Sequence, residues 1–342
     1  MEYFKKVKEL NQEEKVMSIT ILTGDNIGAK ALWSKAGFLY KTCELLSWDL
    51  LQKELDKGLK DSYVEIGDTC FFCEVLEGQK NLIICGAGHI SMPLISMGKM
   101  LGFHVTVIDD RIQFANNARA AKADSVICDN FIDGLNQIPN SQNNYFVIVT
   151  RGHRYDRDCL INILKRPSTY VGMIGSRKRV KIVKDSVLAE GLDREIVENI
   201  HSPIGLNIGA ETPEEIGVAI IAEIIQVKNE EKGKGGFTKE LLAAILEGEK
   251  AETPKMALLT IIKRKGSAPR SVGTKMLVWE DGNFWGTIGG GCAEAEAFQC
   301  ALSCIKTKKC IRTEVDMTGN FAEEDGMVCG GVIEIFIEPT NE

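Results

Sequence analysis

The chain has 342 residues, of which 44% are hydrophobic and 26% are charged, and its formal net charge at pH 7 is −7. This length exceeds what a single core usually supports, so we expect two or three domains. The acidic balance argues against a general nucleic-acid binder, and no apolar run is long enough to suggest a membrane span. The N-terminus lacks a signal-like apolar segment and several of the 11 cysteines lie inside apolar runs, so we expect reduced thiols in a cytoplasmic protein.

Residues 1–78 resemble the C-terminal part of the same chain. The segment 17–22 (Met-Ser-Ile-Thr-Ile-Leu) parallels 257–262 (Ala-Leu-Leu-Thr-Ile-Ile), and 27–33 parallels 272–279. In both places a glycine turn, an amphipathic helix and a closing strand follow. This self-similarity predicts an internal duplication.

The two copies differ in their loops. The C-terminal copy carries Gly266-Ser-Ala-Pro-Arg270 where the N-terminal copy has only residues 23–26, and it carries Gly289-Gly-Gly-Cys292 where the other has residues 40–43. Loops supply chemistry while strands and helices supply packing. The first copy is therefore predicted to be a degenerate, structural half, and the second copy is predicted to be the active half.

Residues 79–228 are predicted to form a Rossmann-like domain, because strand-type and helical runs alternate there. The domain opens with an apolar strand, then Gly86-Ala-Gly88-His89, then a helix and a second strand that ends in Asp109. In dinucleotide-binding folds such glycines let the backbone approach a pyrophosphate, and the acid contacts a ribose hydroxyl. Ser91 replaces the third glycine of the fingerprint. Both NAD(P) binding and a fold kept for packing with a different ligand therefore remain open.

Two basic loops are predicted at the same sheet edge as the glycine loop. They are Arg151-Gly-His153-Arg154 and Gly175-Ser176-Arg177-Lys178-Arg179. Arginines near helix N-termini bind phosphate, so these loops indicate an anionic ligand, with a solvated basic face as the alternative. Ser176 is predicted to cap its helix, and Thr212 with Glu215 is predicted to form a capping box.

Residues 229–237 form a polar, glycine-rich linker, and residues 238–342 form the last domain. Cys292 follows three glycines and precedes a helix whose N-terminal amides could lower the pKa of the thiol. Cys329 is also followed by glycines, and Arg270 could hold an anion with two hydrogen bonds. No second ligand lies at short spacing and all 4 histidines lie elsewhere, so a zinc site is not expected.

These motifs resemble the XdhC/CoxI family. Gly266–Arg270, Gly289–Glu294 and residues 327–331 resemble its cysteine domain, and the Gly86, Asp109, Gly175 and 203–215 segments resemble its Rossmann domain. The resemblance covers residues 79–340. It implies an α/β protein with a central Rossmann-like parallel sheet domain, here flanked by two α+β domains that look like copies of one another. It also implies an accessory protein for a molybdenum hydroxylase of the xanthine dehydrogenase type, more a cofactor chaperone than a turnover enzyme.

Family members bind the molybdenum cofactor, keep it during sulfuration by a cysteine desulfurase and deliver it to the apo-enzyme. The resemblance implies that Cys292 and Cys329 face the metal or its sulfur, with Cys292 on the molybdenum side, while the basic Rossmann loops face the pterin phosphate. The cofactor-binding residues that the motifs indicate in the cysteine domain are Gly266, Ser267, Arg270, Gly289, Gly290, Gly291 and Glu294. In the Rossmann domain they are Gly86, Gly88, His89, Asp109, Arg111, Ser176 and Arg177.

The domain order departs from the family pattern, which places the cysteine domain first and the Rossmann domain second. The sequence around His153 departs as well, so that histidine receives no role. Two other functions remain open, namely an NAD(P)-dependent oxidoreductase and a structural or nucleotide-regulated adaptor for hydroxylase assembly. The cysteines and the basic loops could meet within one chain or across a homodimer.

Overall fold

The computed structural model describes residues 1–10, 16–56, 62–76, 78–230, 236–248, 254–268, 270–316 and 331–340. The chain divides into two compact units. One contains Met1–Glu77 together with Gly233–Glu342, and the other contains Gly78–Lys232. The two outer parts of the chain, which the sequence suggested as separate flanking domains, therefore form a single unit.

The N-terminal elements are α1 (Glu2–Glu9), β1 (Val16–Ile21), β2 (Lys30–Ser34), β3 (Gly37–Lys41), α2 (Leu46–Asp56), β4 (Tyr63–Ile66) and β5 (Thr69–Leu76). The central elements are β6 (Asn81–Cys85), α3 (Ser91–Met100), β7 (His104–Ile108), α4 (Ile112–Ala120), β8 (Ser125–Ile127), α5 (Phe131–Asn136), β9 (Asn144–Ile148), α6 (His153–Ile163), β10 (Tyr170–Met173), α7 (Arg177–Ala189), α8 (Arg194–Glu198) and α9 (Pro213–Glu230). The C-terminal elements are α10 (Lys239–Glu247), β11 (Met256–Gly266), β12 (Lys275–Trp279), β13 (Phe284–Gly286), α11 (Gly291–Thr307), β14 (Ile311–Asp316) and β15 (Gly331–Pro339).

The central unit is built on a parallel sheet with the strand order β10-β9-β6-β7-β8. The first strand, β6, therefore lies inside the sheet, and the chain winds from it in both directions. This order places a topological switch point between the ends of β6 and β9, where open α/β sheets bind ligands. The predicted Rossmann-like fold class is confirmed.

Alternate residues of the parallel strands serve two cores. Ile83 and Cys85 pack with α6 and α7, while Leu82 and Ile84 pack with α3 and α9. This two-sided burial explains why the strands of this unit are continuous apolar runs in the sequence. At Gly217 of α9 a Cβ would lie 3.0 Å from Cγ of Pro93, so α9 packs closely on α3.

The outer unit contains two antiparallel sheets with the same topology. Their strand orders are β3-β2-β1-β5-β4 and β13-β12-β11-β15-β14. Each sheet has a helix before its first strand and another after its third strand. We call residues 1–76 the N-terminal copy and residues 236–340 the C-terminal copy. The self-similar segments 17–22 and 257–262 fall on the central strands β1 and β11.

Both helix-capping predictions are confirmed. The hydroxyl of Ser176 accepts the backbone N–H of Arg179 at 3.3 Å. Thr212 accepts the N–H of Glu215 at 3.2 Å, and the Glu215 carboxylate accepts the N–H of Thr212 at 3.0 Å. Within the described ranges, no helix combines the length and the apolar character needed to cross a bilayer.

A mostly buried acid joins α9 to the edge of the parallel sheet. One oxygen of Glu223 accepts the Tyr170 hydroxyl at 2.6 Å and the Gly205 N–H at 3.0 Å, and the other lies 3.5 Å from Nδ1 of His201. Burial opposes ionisation of Glu223, but the hydrogen bonds from His201, Tyr170 and Gly205 outweigh it and lower the pKa of the carboxyl. This carboxylate therefore holds the segment 201–205 against α9.

Replacing Glu223 with Gln should lower the free energy of unfolding by about 1–3 kcal/mol at pH 7. Because the folded-state pKa of Glu223 is lowered, its contribution is present above the ordinary carboxyl pKa and is lost as pH falls through the folded value. Denaturant unfolding at pH 7 and at about pH 3 should therefore show the gap between wild type and variant shrinking in acid. Glu214→Gln, an exposed position on the same helix, is the control, and a gap that does not depend on pH would contradict this role.

Candidate functional site

The motifs of the cysteine domain leave one end of the C-terminal sheet. Gly266, the last residue of β11, pairs with Gly331, the first residue of β15. At the same end, Lys275 begins β12 and Gly286 ends β13. The segments that carry Gly266–Arg270 and Gly289–Cys292 therefore follow strands that finish at the same end of the sheet, with β12 between them. Cys329, two residues before Gly331, lies outside the described residues.

Close backbone contact joins two of these motifs. A Cβ at Gly331 would lie 2.8 Å from the carbonyl carbon of Ser267 and 2.9 Å from the amide nitrogen of Ala268. Only glycine fits there, so the strand that follows Cys329 packs directly on the Ser267–Ala268 backbone. The side chains of Ser267 and Arg270 are exposed at this end. Within the described part of the chain, Arg270 makes no side-chain hydrogen bond or ion pair.

Glu294 holds the glycine loop that precedes α11. Its Oε2 accepts the N–H groups of Ile288 at 3.0 Å and Gly290 at 3.1 Å, and it also accepts the hydroxyl of Thr287. Burial opposes ionisation of Glu294, but these hydrogen bonds outweigh it and lower the pKa of the carboxyl. Glu294, which the motif suggested as a cofactor-binding residue, thus already occupies amides that an anion would otherwise bind.

Cys292 is the second residue of α11, which begins at Gly291 rather than near Ala293 as the sequence suggested. The turn into this helix uses positive φ angles of 79° at Gly290 and 68° at Gly291, which glycine adopts with little strain. The side chain of Cys292 itself lies outside the described part of the structure. Among the described side chains, no group of three or more His, Cys, Asp or Glu residues is placed to hold a metal ion.

In the central unit, the glycine loop follows β6 at the switch point. A Cβ at Gly86 would lie 2.6 Å from the carbonyl oxygen of Val149, so β6 and β9 approach each other closely at their ends. The buried hydroxyl of Ser91 donates to the carbonyl of Gly86 at 2.5 Å. Ser91 therefore closes the loop at the position of the missing third glycine. Gly88 has open space where a Cβ would be, and His89 is exposed beside it.

Asp109 does not offer a free acceptor to a ribose. Its Oδ2 accepts the Ala87 N–H at 2.8 Å and Nη2 of Arg111 at 2.9 Å, while its Oδ1 accepts the N–H and Nε of Arg111 at 3.0 and 2.9 Å. These four bonds fill the lone pairs of a carboxylate. Burial alone would raise the pKa of Asp109, but the hydrogen bonds from Arg111 and Ala87 outweigh this effect, so the pKa is lowered. The ribose contact predicted from the fingerprint does not fit this geometry, because Asp109 anchors the glycine loop instead.

Part of the predicted basic edge is already neutralised. Arg151 forms two hydrogen bonds to Asp110, at 3.0 and 2.9 Å. Arg179 pairs with Asp156, a buried acid that also accepts the Thr150 hydroxyl. Arg111 is committed to Asp109 and stacks 3.5 Å from the ring centre of Phe114. We found no pattern in the sequence that predicts the pairing of these acids with the arginines.

Three cations of the two basic loops remain open. Arg154, Arg177 and Lys178 are exposed, and none has a side-chain hydrogen bond or ion pair to another described residue. They stand in the first turns of α6 and α7, where the unpaired amides add to their positive potential. Fewer cations are thus unpaired at this edge, among the described residues, than the sequence suggested.

Comparisons with known proteins agree with the motifs. A family model described as the XdhC Rossmann domain matches residues 82–224, and a model described as the XdhC and CoxI family matches residues 250–315. An Escherichia coli protein named uncharacterized protein YqeB is 29% identical over 168 residues, covering 49% of this chain and 31% of that protein. A Bacillus subtilis protein, named as a probable xanthine dehydrogenase subunit, is 30% identical over 160 residues, covering 47% of this chain and 46% of that protein.

A solved structure described as a xanthine dehydrogenase from Bacillus halodurans has a TM-score of 0.53 and 23% identity, covering 68% of this chain and 65% of that chain. At this identity the likeness shows the fold alone. The chain spans less than half the length of the two sequence relatives. Both family models match, one on the parallel-sheet unit and one on the loop-bearing C-terminal copy. The chain belongs to the XdhC/CoxI family.

Proposed function

We propose that this chain is an accessory protein for a molybdenum hydroxylase of the xanthine dehydrogenase type. In this proposal it binds the molybdenum cofactor and assists its sulfuration and its insertion into the apo-enzyme. The observation that carries the proposal is the close contact of Gly331 with Ser267 and Ala268, which joins the start of β15 to the beginning of the Gly266–Arg270 motif. The name of the Bacillus subtilis relative supports the class of client enzyme.

The chemistry at this end of the C-terminal sheet suits such a cargo. Thiolates are soft ligands, which favours a molybdenum–sulfur centre. Cys292, the second residue of α11, would supply such a ligand. Arg270 is exposed and open to an anion. The glycines between residues 289 and 291 carry no side chains, so a bulky ligand could approach the backbone closely.

The edge of the parallel sheet suits a phosphate. Arg154, Arg177 and Lys178 are open there beside the N-termini of α6 and α7. Because the lone pairs of Asp109 are filled, this edge is better suited to a phosphate such as that of the pterin than to a nucleotide ribose. The proposal also includes a cysteine desulfurase as sulfur donor and a cytoplasmic location.

Cys292→Ala should reduce the molybdenum cofactor retained by the protein at least roughly tenfold, because a ligand on the metal side is lost. The measurement is molybdenum by mass spectrometry and oxidised pterin by fluorescence, on protein purified anaerobically from a host that makes the cofactor. Cys300→Ala, on the same helix but two turns further along, should retain the wild-type content. Equal cofactor content in the two variants would remove Cys292 from the site.

The double variant Arg154→Ala/Arg177→Ala should weaken retention of the pterin by roughly 10–100-fold, because two charge-assisted hydrogen bonds to phosphate are lost. Arg194→Ala, an exposed arginine at the start of α8, serves as the control. Pterin release during repeated desalting gives the comparison. Unchanged release from the double variant would move the phosphate away from this edge.

The alternative function is an NAD(P)-dependent oxidoreductase, and the feature that favours it is the glycine loop at the switch point. With Asp109 saturated, calorimetric titration with NAD or NADP should give no micromolar binding. Micromolar binding with hydride transfer to a substrate would favour the oxidoreductase. Micromolar binding without turnover would favour the nucleotide-regulated assembly adaptor.

A further inference from the structure

Strand register identifies equivalent residues in the two copies of the outer unit. In the N-terminal copy Lys30 stands opposite Thr20, and in the C-terminal copy Lys275 stands opposite Thr260. Both lysines begin the second strand of their sheet. Lys30 and Lys275 are therefore equivalent positions, although 244 residues of sequence separate them.

Each lysine is paired with an acid of the other copy. Nζ of Lys30 lies 2.8 Å from Oε1 of Glu338, and Nζ of Lys275 lies 2.8 Å from both carboxylate oxygens of Glu74. All four side chains are at least nine-tenths buried. Glu74 and Glu338 are themselves equivalent, because each lies two residues beyond the phenylalanine that pairs with the threonine of its sheet. The two ion pairs are therefore reciprocal.

The apolar contacts repeat this reciprocity. Leu22 and Phe72 of the N-terminal copy form one buried cluster with Ile262 and Phe336 of the C-terminal copy. Leu22 and Ile262 each lie two residues beyond the threonines Thr20 and Thr260, so the cluster contains two equivalent pairs. The helices α1 and α10 also pack in one shared cluster.

Near the centre of this interface, equivalent residues touch each other. Tyr63 pairs with Phe72 in one sheet, and Arg312 pairs with Phe336 in the other. Nη2 of Arg312 donates to the Tyr63 hydroxyl at 3.0 Å. Contacts in which residue i meets j and j meets i, with equivalent residues meeting at the axis, define a two-fold interface.

The two copies differ at the loop-bearing end. Between its last two strands the N-terminal copy has only residues 67–68, where the C-terminal copy has residues 317–330, including Cys329. The hydroxyl of Thr23 donates to the carbonyl of Asp68 at 3.2 Å and accepts the Cys70 N–H at 2.9 Å. These bonds tie the short N-terminal loops to each other.

We propose that residues 1–76 are a partner copy built into the chain, which completes a pseudo-two-fold pair with the C-terminal copy and carries no cargo site of its own. The two copies therefore form this interface within a single chain. The expectation of one cargo site per chain rests on the proposed function. The pairing of the two copies does not depend on that function.

The buried ion pairs give a test that needs no cargo. Lys275→Glu would place two carboxylates against each other, and Glu74→Lys would place two ammonium groups against each other. Each single reversal of the full chain should lower the melting temperature by roughly 5–15 °C, and the double reversal should regain at least about half of that loss. Lys30→Glu and Glu338→Lys should show the same ranking, because the pairs are equivalent.

An equimolar mixture of the Lys275→Glu chain and the Glu74→Lys chain separates pairing within a chain from pairing between chains. After joint unfolding and refolding, the mixture should melt like the single variants, because position 275 meets position 74 of the same chain, where the two charges are alike. Recovery of stability in the mixture, with a two-chain mass by light scattering, would overturn the proposal. So would wild-type melting of both single reversals. If the reversals do not fold, Lys275→Met/Glu74→Leu keeps the buried fit and should fold, whereas Lys275→Met alone should melt lower.

Discussion

The pairing of β11 with β15, which sets Gly266 opposite Gly331, is the constraint on which the candidate site depends. It brings the backbone of Ser267 and Ala268 into a contact that no other residue at position 331 would allow. The loop before α11 leaves the same end of the sheet and is held by the carboxylate of Glu294. Side chains that resemble ligands in the sequence thus include some, such as Glu294, that shape the loops instead. The side chain of Arg270 is exposed and has no partner among the described residues.

At the edge of the parallel sheet, most of the charged side chains likewise pair with neighbouring residues of the chain. Asp109, Asp110 and Asp156 each hold an arginine, and Asp109 also holds the Ala87 amide. A charge that is already paired and hydrogen-bonded contributes little to a new ligand. The remaining open cations are the ones with which a phosphate would pair. Internal ion pairs therefore fix the structure of this edge, and the cations outside those pairs are the ones available for binding.

Local and periodic features could be predicted from the sequence, because they depend on residues close together in the chain. The parallel sheet, the Ser176 cap and the Thr212–Glu215 capping box belong to this group. The saturation of Asp109 could not be predicted, since it depends on the approach of the Ala87 amide from another loop. The pairs Lys30–Glu338 and Lys275–Glu74 join residues more than 200 positions apart, and only the register of two sheets reveals their reciprocity.

We propose that the loop-bearing end of the C-terminal sheet holds the molybdenum cofactor. The most direct measurement is the amount of pterin and molybdenum bound per wild-type chain, after anaerobic purification from a host with an intact cofactor pathway. We expect close to one pterin per chain that contains both the N-terminal copy and the C-terminal copy. A chain free of pterin and molybdenum, under conditions that load an established cofactor-binding protein, would contradict it.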